Sequence, residues 1–252
     1  MIGGMRFRDS IVVILGGNSG IGRAAAEAFA REGAQVVITG RDPDTLRDTE
    51  RAIGPACLAM QADIADLAST DRLMAAVAAR YGRIDVLFVN AGTGAFVPVE
   101  DVTEDFYDRL MAINLKGPYF AVQKSLPLLA TGASIVLTSS IGHCKGIAGN
   151  SVYAATKAGL RALARNFGIE LVDRGIRVNC FSPGPIDTPL LTRGGLDHAA
   201  LATAREMIRT AVPMKRFGTP EEAAAAVLFL ASKESSFVTG IDLIADGGLV
   251  SF

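Results

Sequence analysis

A chain of 252 residues, half of them hydrophobic, holds the material for one large α/β domain or two small ones. Its 25 basic residues nearly balance 26 acidic ones, for a formal net charge of −1. With no basic run, nothing argues for nucleic acid or an anionic membrane as partner. Two histidines and three scattered cysteines (Cys57, Cys144, Cys180) match no metal-ligand or redox spacing, so no metal site is expected and the thiols read as reduced.

In chain order, "IVVIL" (residues 11–15) reads as a buried strand and "IGRAAAEAFAREG" (21–33) as a helix closed by Gly33. "AQVVIT" (34–39) is a second strand, and residues 42–54 form a helix with Pro43 in its first turn. "ACLAMQ" (56–61) is a strand, 67–82 a helix and "IDVLFVN" (84–90) a strand. Residues 103–129 read as one long helix kinked near Gly117–Pro118. "SIVLTS" (134–139) is a fifth strand, followed by a helix containing "SVYAATKAG" (151–159). "IRVNCFS" (176–182) is a strand, 187–213 a mixed segment, 220–232 a helix and "IDLIAD" (241–246) a last strand. Alternation of this kind implies a parallel sheet covered on both faces. A closed β/α barrel is the rival, but a glycine loop after the first strand favours an open, Rossmann-type doubly wound sheet of mainly seven parallel strands. With no linker or repeat, the chain reads as a single domain.

In such a sheet, ligands bind beyond the carboxyl ends of the strands. Those ends carry "GGNSGIG" (16–22), "GR" (40–41), Asp63, "NAG" (90–92), Ser139–Ser140 and "SPGPIDT" (182–188). Gly16 permits a tight turn, while Gly20 and Gly22 clear the way for a pyrophosphate and a helix N-terminus. Taken alone, the loop is also compatible with an ordinary strand-to-helix turn.

"GGNSGIG", "NAG", "NLKG" (114–117), Ser139–Ser140, "YAATK" (153–157) and "SPGPIDTP" (182–189) together resemble the short-chain dehydrogenase/reductase family, across almost the whole chain. The resemblance implies Tyr153 as general acid/base and Lys157 as the residue that lowers the tyrosine pKa and holds the nicotinamide ribose. It implies Ser140, thirteen residues before Tyr153, rather than Ser139, as the group that polarises the substrate, and Asn114 as the anchor of a water in a proton relay. One departure is Leu15, where the family usually has a threonine that ties the strand ends together. Physics supports the roles independently: Tyr153 and Lys157 at i and i+4 share a helix face. A tyrosine, ordinarily near pKa ~10, needs a nearby cation to act as a base at neutral pH. Asn114 is a poor helix former placed inside a helix. The bland alternatives are a core tyrosine, a solvated lysine and a local side chain-to-backbone bond at Asn114.

For the cofactor, the resemblance places Gly16, Asn18, Ser19, Gly20, Ile21 and Gly22 at the phosphates. Asp63 and Ile64 go to the adenine, Asn90, Ala91 and Gly92 to its ribose, and Pro183, Gly184, Ile186 and Thr188 to the nicotinamide. The NAD-selecting acid would stand at Gly40 and is missing, and Arg41 follows, which favours NADP(H) over NAD(H). Asp42, one step on, weakens that preference, and Arg41 also reads as a solvated turn residue, as Asp63 does as a turn or cap aspartate. Substrate choice is expected from the loop 143–150, including His143, and from a lid of about 188–213 with Leu190, Leu191 and Met207. His143 reads equally as a loop histidine and the lid residues as packing. The family implies a homotetramer, for which the alanine-rich helix 221–231 and the ending "DGGLVSF" suggest close packing surfaces. The expected activity is an NADPH-dependent ketone reductase; the alternatives are an NAD-dependent alcohol dehydrogenase and a dinucleotide-binding regulator without turnover. The longest apolar runs are far below the ~20 residues of a membrane span, and "MIGGMRFRDS" lacks a signal-peptide core, so the expected location is the cytoplasm.

Overall fold

The computed structural model describes residues 5–189 and 198–252. Its strands are β1 (Ile11–Leu15), β2 (Gln35–Gly40), β3 (Cys57–Gln61), β4 (Ile84–Val89), β5 (Leu129–Thr138), β6 (Arg177–Pro183) and β7 (Asp242–Ala245). They form one sheet in the order β3-β2-β1-β4-β5-β6-β7, every neighbouring pair parallel. The helices are α1 (Gly20–Arg31), α2 (Pro43–Ile53), α3 (Leu67–Tyr81), α4 (Glu104–Met111), α5 (Gly117–Ser125), α6 (Ser151–Leu171), α7 (His198–Ala211) and α8 (Pro220–Ala231). The open sheet with its crossovers rules out the barrel.

Strand residues alternate between two cores, as the two-residue period of a strand demands. Val12, Ile14, Val36, Ile38, Val86 and Phe88 pack with Phe29 of α1 and Val227 and Leu228 of α8. Val13, Leu15, Val37, Leu87 and Val89 pack with Leu73 of α3, Val122 of α5 and Leu160 of α6. Helix starts follow their capping chemistry. The Asp42 carboxylate accepts the backbone N–H groups of Asp44 and Thr45 ahead of Pro43. Thr219 and Glu222 form a reciprocal capping box at α8.

The long helix expected over 103–129 is three pieces. Between α4 and α5 the chain widens into a π-helical segment, Ala112–Lys116, where the Gly117 N–H reaches back five residues to the Ala112 carbonyl. Pro118 has no N–H to offer Asn114, so the ordinary ladder cannot close at this point. The irregularity in the helix therefore falls just before Gly117–Pro118. Pro127 stops the helix, which ends at Ser125, and β5 begins five residues earlier than expected. Its first residue, Leu129, pairs with Ile84 before the register shifts to Val86–Ser134.

Among the described residues no helix is long and apolar enough to cross a membrane. The three cysteines are unpaired, and burial pushes the Cys57 and Cys180 thiols up to about 12.

At the sheet edge, fully buried Asn179 bridges β6 to the approach of β7. Its Nδ2 donates to the Val238 carbonyl at 2.9 Å, and its Oδ1 accepts from the Ile241 N–H at 3.1 Å. Asn179→Ala strands both groups, at a cost of about 1–3 kcal/mol. The expected reading is a Tm lowered by roughly 2–4 °C per kcal/mol; an unchanged Tm would show that this bridge carries no weight.

Candidate active site

The glycine loop is shaped by close approach. Gly16, at φ +81°, leaves room for Ala91, whose Cα would lie 2.7 Å from an added Cβ; a Cβ on Gly22 would sit 1.9 Å from the Gly16 carbonyl. The loop therefore folds back on the first turn of α1. Ser19 caps α1 without a side-chain hydrogen bond, so the N–H groups of that turn face the loop and suit a phosphate.

Leu15 does not loosen the strand ends. Its side chain is buried in the core, and its carbonyl accepts from Asn90 and Ala91 at 3.0 and 2.7 Å. The tying falls to Asn90: Nδ2 donates to the Gly16 carbonyl at 2.9 Å, and Oδ1 accepts from the Thr138 hydroxyl at 3.2 Å. The Thr138 carbonyl in turn accepts from Lys157 Nζ at 2.8 Å.

One end of the crevice is a cavity of about 360 Å³ lined by Asn18, Ser19, Gly40, Arg41, Asp63, Ile64, Asn90, Gly92 and others. Arg41 is exposed there, and only its backbone is engaged, by Gln61 Nε2 at 2.9 Å, among the described contacts. Asp42 is committed to capping α2. Asn18 donates to the Thr45 hydroxyl at 2.7 Å and lies directly over Gly40, where a Cβ would meet its Cγ at 2.3 Å. Asp63 accepts from the Ala65 N–H at 2.9 Å, so it is a turn aspartate that also lines the cavity.

The other end is a cavity of about 140 Å³, lined by Ser19, Gly20, Ile21, Thr138, Tyr153, Lys157, Pro183 and Thr188 among others. Thr188 packs on Gly20, 3.2 Å from where a Cβ would stand. Gly184 makes room for Asp246 instead, and the Ile186 side chain lies in the core, its backbone bridged to Gly218. Neither lines this cavity.

Ser139 and Ser140 divide their tasks. Ser139 is buried and donates to the Lys157 carbonyl at 2.9 Å, pinning α6 to β5. Ser140 is partly exposed and accepts from the Gly142 N–H at 3.1 Å; its hydroxyl and the Tyr153 ring both border the Gly142 Cβ position, and it works to lower the phenol's pKa. The Tyr153 ring lies between two glycines: Cβ atoms on Gly94 and Gly142 would contact it at 3.5 and 3.4 Å. Lys157 Nζ lies 5.5 Å from the ring centroid. Asn114 is fully buried in the π-helical segment; it accepts from the Thr93 N–H at 2.9 Å and donates to the Thr93 carbonyl at 2.8 Å. Gly92 lets Asn114 and Lys157 approach, at 3.3 and 3.4 Å from its Cβ position.

The electrostatics differ from expectation in one respect. Burial pushes the Tyr153 phenol above its ordinary value, opposed by the Ser140 hydrogen bond. Burial lowers Lys157 to about 8. Of the protein's own groups only Ser140 works to depress the tyrosine, and burial outweighs it. The four substrate assignments separate: His143 lines another open cavity, beyond Gly142. The His143 ring is engaged with Asp242 at 2.6 Å. Met207 is 69% exposed on α7 and lines neither cavity. Leu190 and Leu191 lie outside the described residues. The threonines 39, 93 and 138 are not among the residues the sequence singles out, although all three hydrogen-bond at this end of the sheet. Small polar residues at strand ends were the available signal.

With this geometry in hand, comparison with known proteins is direct. A family profile described as enoyl-(acyl carrier protein) reductase matches residues 16–250. An oxidoreductase of Sarocladium schorii is 41% identical over 246 residues, covering 97% of each chain. Levodione reductase of Leifsonia aquatica is 36% identical over 253 residues, covering 96% of this chain and 95% of its own. The crystal structure of a short-chain dehydrogenase/reductase of Brucella melitensis, titled glucose/ribitol dehydrogenase, superposes with a TM-score of 0.93 at 32% identity, covering 99% and 100% of the two chains. The chain belongs to the short-chain dehydrogenase/reductase family. It is therefore an oxidoreductase of alcohols or ketones that works with a nicotinamide dinucleotide. The glycine cradle, the uncapped N-terminus of α1 and the linked cavities fit that cofactor.

A lysine held near 8 when folded and near 10.5 when unfolded makes the unfolded chain the better proton binder between those values. The lysine's own contribution to stability is expected to rise with pH from about 8 to 10.5, while the Cys57 and Cys180 thiols, held near 12 when folded, work in the opposite direction above about pH 9. Each tenfold difference in proton affinity between the two states is worth about 1.4 kcal/mol, so the rise amounts to a few kcal/mol in all. Denaturant titrations of wild type and Lys157→Met across that range check it: the stability difference between them should shift in favour of wild type as the pH rises, and a constant difference would show that the lysine carries no such contribution.

Proposed function

We propose that this enzyme is an NADPH-dependent ketone reductase. The observation that carries the reading is one crevice with a Ser140–Tyr153–Lys157 cluster at one end and an exposed Arg41 beside Gly40 at the other. A 2′-phosphate calls for a cation where NAD selection calls for an acid. With Asp42 committed to its helix cap, Arg41 is the charge presented there, and Ser19 adds a hydroxyl.

A bound nicotinamide supplies the hydride and, once oxidised, a positive charge. Around it, the Ser140 hydroxyl holds the carbonyl oxygen as negative charge builds on it. Tyr153 gives that oxygen its proton; its raised pKa keeps the phenol protonated at neutral pH, as a donor must be. Lys157, anchored on Thr138, orients the ribose. Asn114, fixed by Thr93, holds the water through which Tyr153 is reprotonated.

Beyond Tyr153 an open cavity of about 610 Å³, lined by Val99, Gly142, His143, Ile147, Asn150, Ala154 and others, takes the body of the substrate. Its apolar contribution favours a ketone with a hydrocarbon frame. The unpaired cysteines support a cytosolic setting. Exposed Tyr119, Ile169 and Val172 on α5, α6 and the following turn support assembly into a homotetramer.

Nicotinamide absorbance with a panel of cyclic diketones, simple ketones and polyols tests the activity. Tyr153→Phe is expected to lose roughly 10²–10⁴ in kcat, and wild-type turnover in that variant would end the mechanism. Arg41→Ala is expected to raise the NADPH KM roughly 10- to 100-fold, the ~1.5–3 kcal/mol of hydrogen bonds to a charged group. The NADH KM should hardly move; equal effects on both cofactors would remove Arg41 from the 2′-phosphate.

A further inference from the structure

His143 stands at the end of the turn that presents Ser140. Ser140 caps a single 3₁₀ turn, Ile141–His143. Its hydroxyl accepts from Gly142, and its carbonyl accepts from the His143 N–H at 3.1 Å. Gly142, inside the turn, is the residue whose Cβ position touches both the Tyr153 ring and the Ser140 hydroxyl. A small rotation of the turn therefore moves Ser140 relative to Tyr153.

The far end of the turn is held by a carboxylate from another strand. His143 Nε2 lies 2.6 Å from Asp242 Oδ2, the two side chains only 15% and 8% exposed. A carboxylate accepts, so Nε2 carries the proton. The other oxygen, Asp242 Oδ1, accepts from the Ser182 hydroxyl at 2.7 Å. Ser182 is fully buried and precedes Pro183, which lines the cavity that contains Tyr153 and Lys157. One carboxylate on the edge strand β7 thus joins the turn carrying Ser140 to the end of β6.

We infer that His143, Asp242 and Ser182 form a positioning clamp that sets the Ser140 hydroxyl against Tyr153. None of the three touches the reacting atoms; the clamp acts through Ser140, and its catalytic consequence rests on the function proposed above. The Tyr153 phenolate is stabilised by the Ser140 hydroxyl, so a slackened clamp raises the pH at which Tyr153 ionises. The catalytic share is smaller than the ~10² that a 1 Å misplacement costs.

The experiment follows phenolate ultraviolet absorbance against pH, each protein referenced to its own Tyr153→Phe counterpart, with kcat and KM measured in parallel. His143→Leu is expected to titrate Tyr153 higher and to lower kcat about 10-fold with the NADPH KM unchanged. His143→Gln, which keeps a donor for Asp242, should recover most of both. Combined with Ser140→Ala, His143→Leu should add nothing. Asp242→Ala slackens the same clamp from its other end and should act in the same direction, which covers the case of His143→Leu failing to fold. A wild-type tyrosine titration in His143→Leu and Asp242→Ala, or an effect that adds in full to that of Ser140→Ala, overturns the clamp. Turnover that survives Tyr153→Phe overturns the catalytic reading instead and leaves the titration result to stand by itself.

Discussion

A buried ammonium is the constraint around which this crevice is arranged. Lys157 is 4% exposed, and a cation withdrawn from water is tolerated only where acceptors meet it. The Thr138 carbonyl does so, which fixes where β5 must end relative to α6. Thr138 is in turn held through its hydroxyl by Asn90, and Asn90 by the first carbonyl of the glycine loop. A continuous run of hydrogen bonds thus joins the loop that suits phosphate to the lysine beside the tyrosine. Burial sets the chemistry of the pair as well, lifting the phenol while easing the lysine's hold on its proton.

Glycines supply the space in which this network operates. Gly92 admits Asn114 and Lys157 to the same spot, Gly94 and Gly142 flank the tyrosine ring, and Gly16 and Gly22 let the loop close on itself. The polar atoms are thereby brought together by missing side chains as much as by present ones. The π-helical widening at Ala112–Lys116 serves the same end. It sets Asn114 facing Thr93 where an unbroken helix would turn it elsewhere.

Much of this was readable in the residues. The alternation of short β-branched runs with longer helices pointed to the sheet, because the inner strands are buried on both faces by flanking helices while only the edge strands β3 and β7 stay half-open. The glycine loop and the tyrosine–lysine pair at helical spacing marked the two ends of the crevice, because both are local patterns. What local patterns could not show were partners distant in sequence. Asn90 takes over the tying expected of a threonine at Leu15 through atoms 74 residues apart. The His143 ring turns to Asp242, 99 residues on. Tyr153 was expected to be depressed by its lysine, but desolvation, which depends on the whole packed surround, outweighs a neighbour 5.5 Å from the ring. The helix over 103–129 misled because its apolar period continues through Pro118 and Pro127, whose missing N–H groups break the ladder without breaking the pattern.

The packing of Asn18 over Gly40 bears on any change of cofactor. An acid introduced at Gly40 meets Asn18 at 2.3 Å, and Asn18 is itself tied to Thr45 on α2. The two positions are therefore coupled, and their substitutions do not contribute independently. An acid at this position is accommodated only as the Asn18 amide moves aside and gives up its hydrogen bond to Thr45. What the end of β2 can carry is thereby set by α2, through Thr45, as much as by the strand itself.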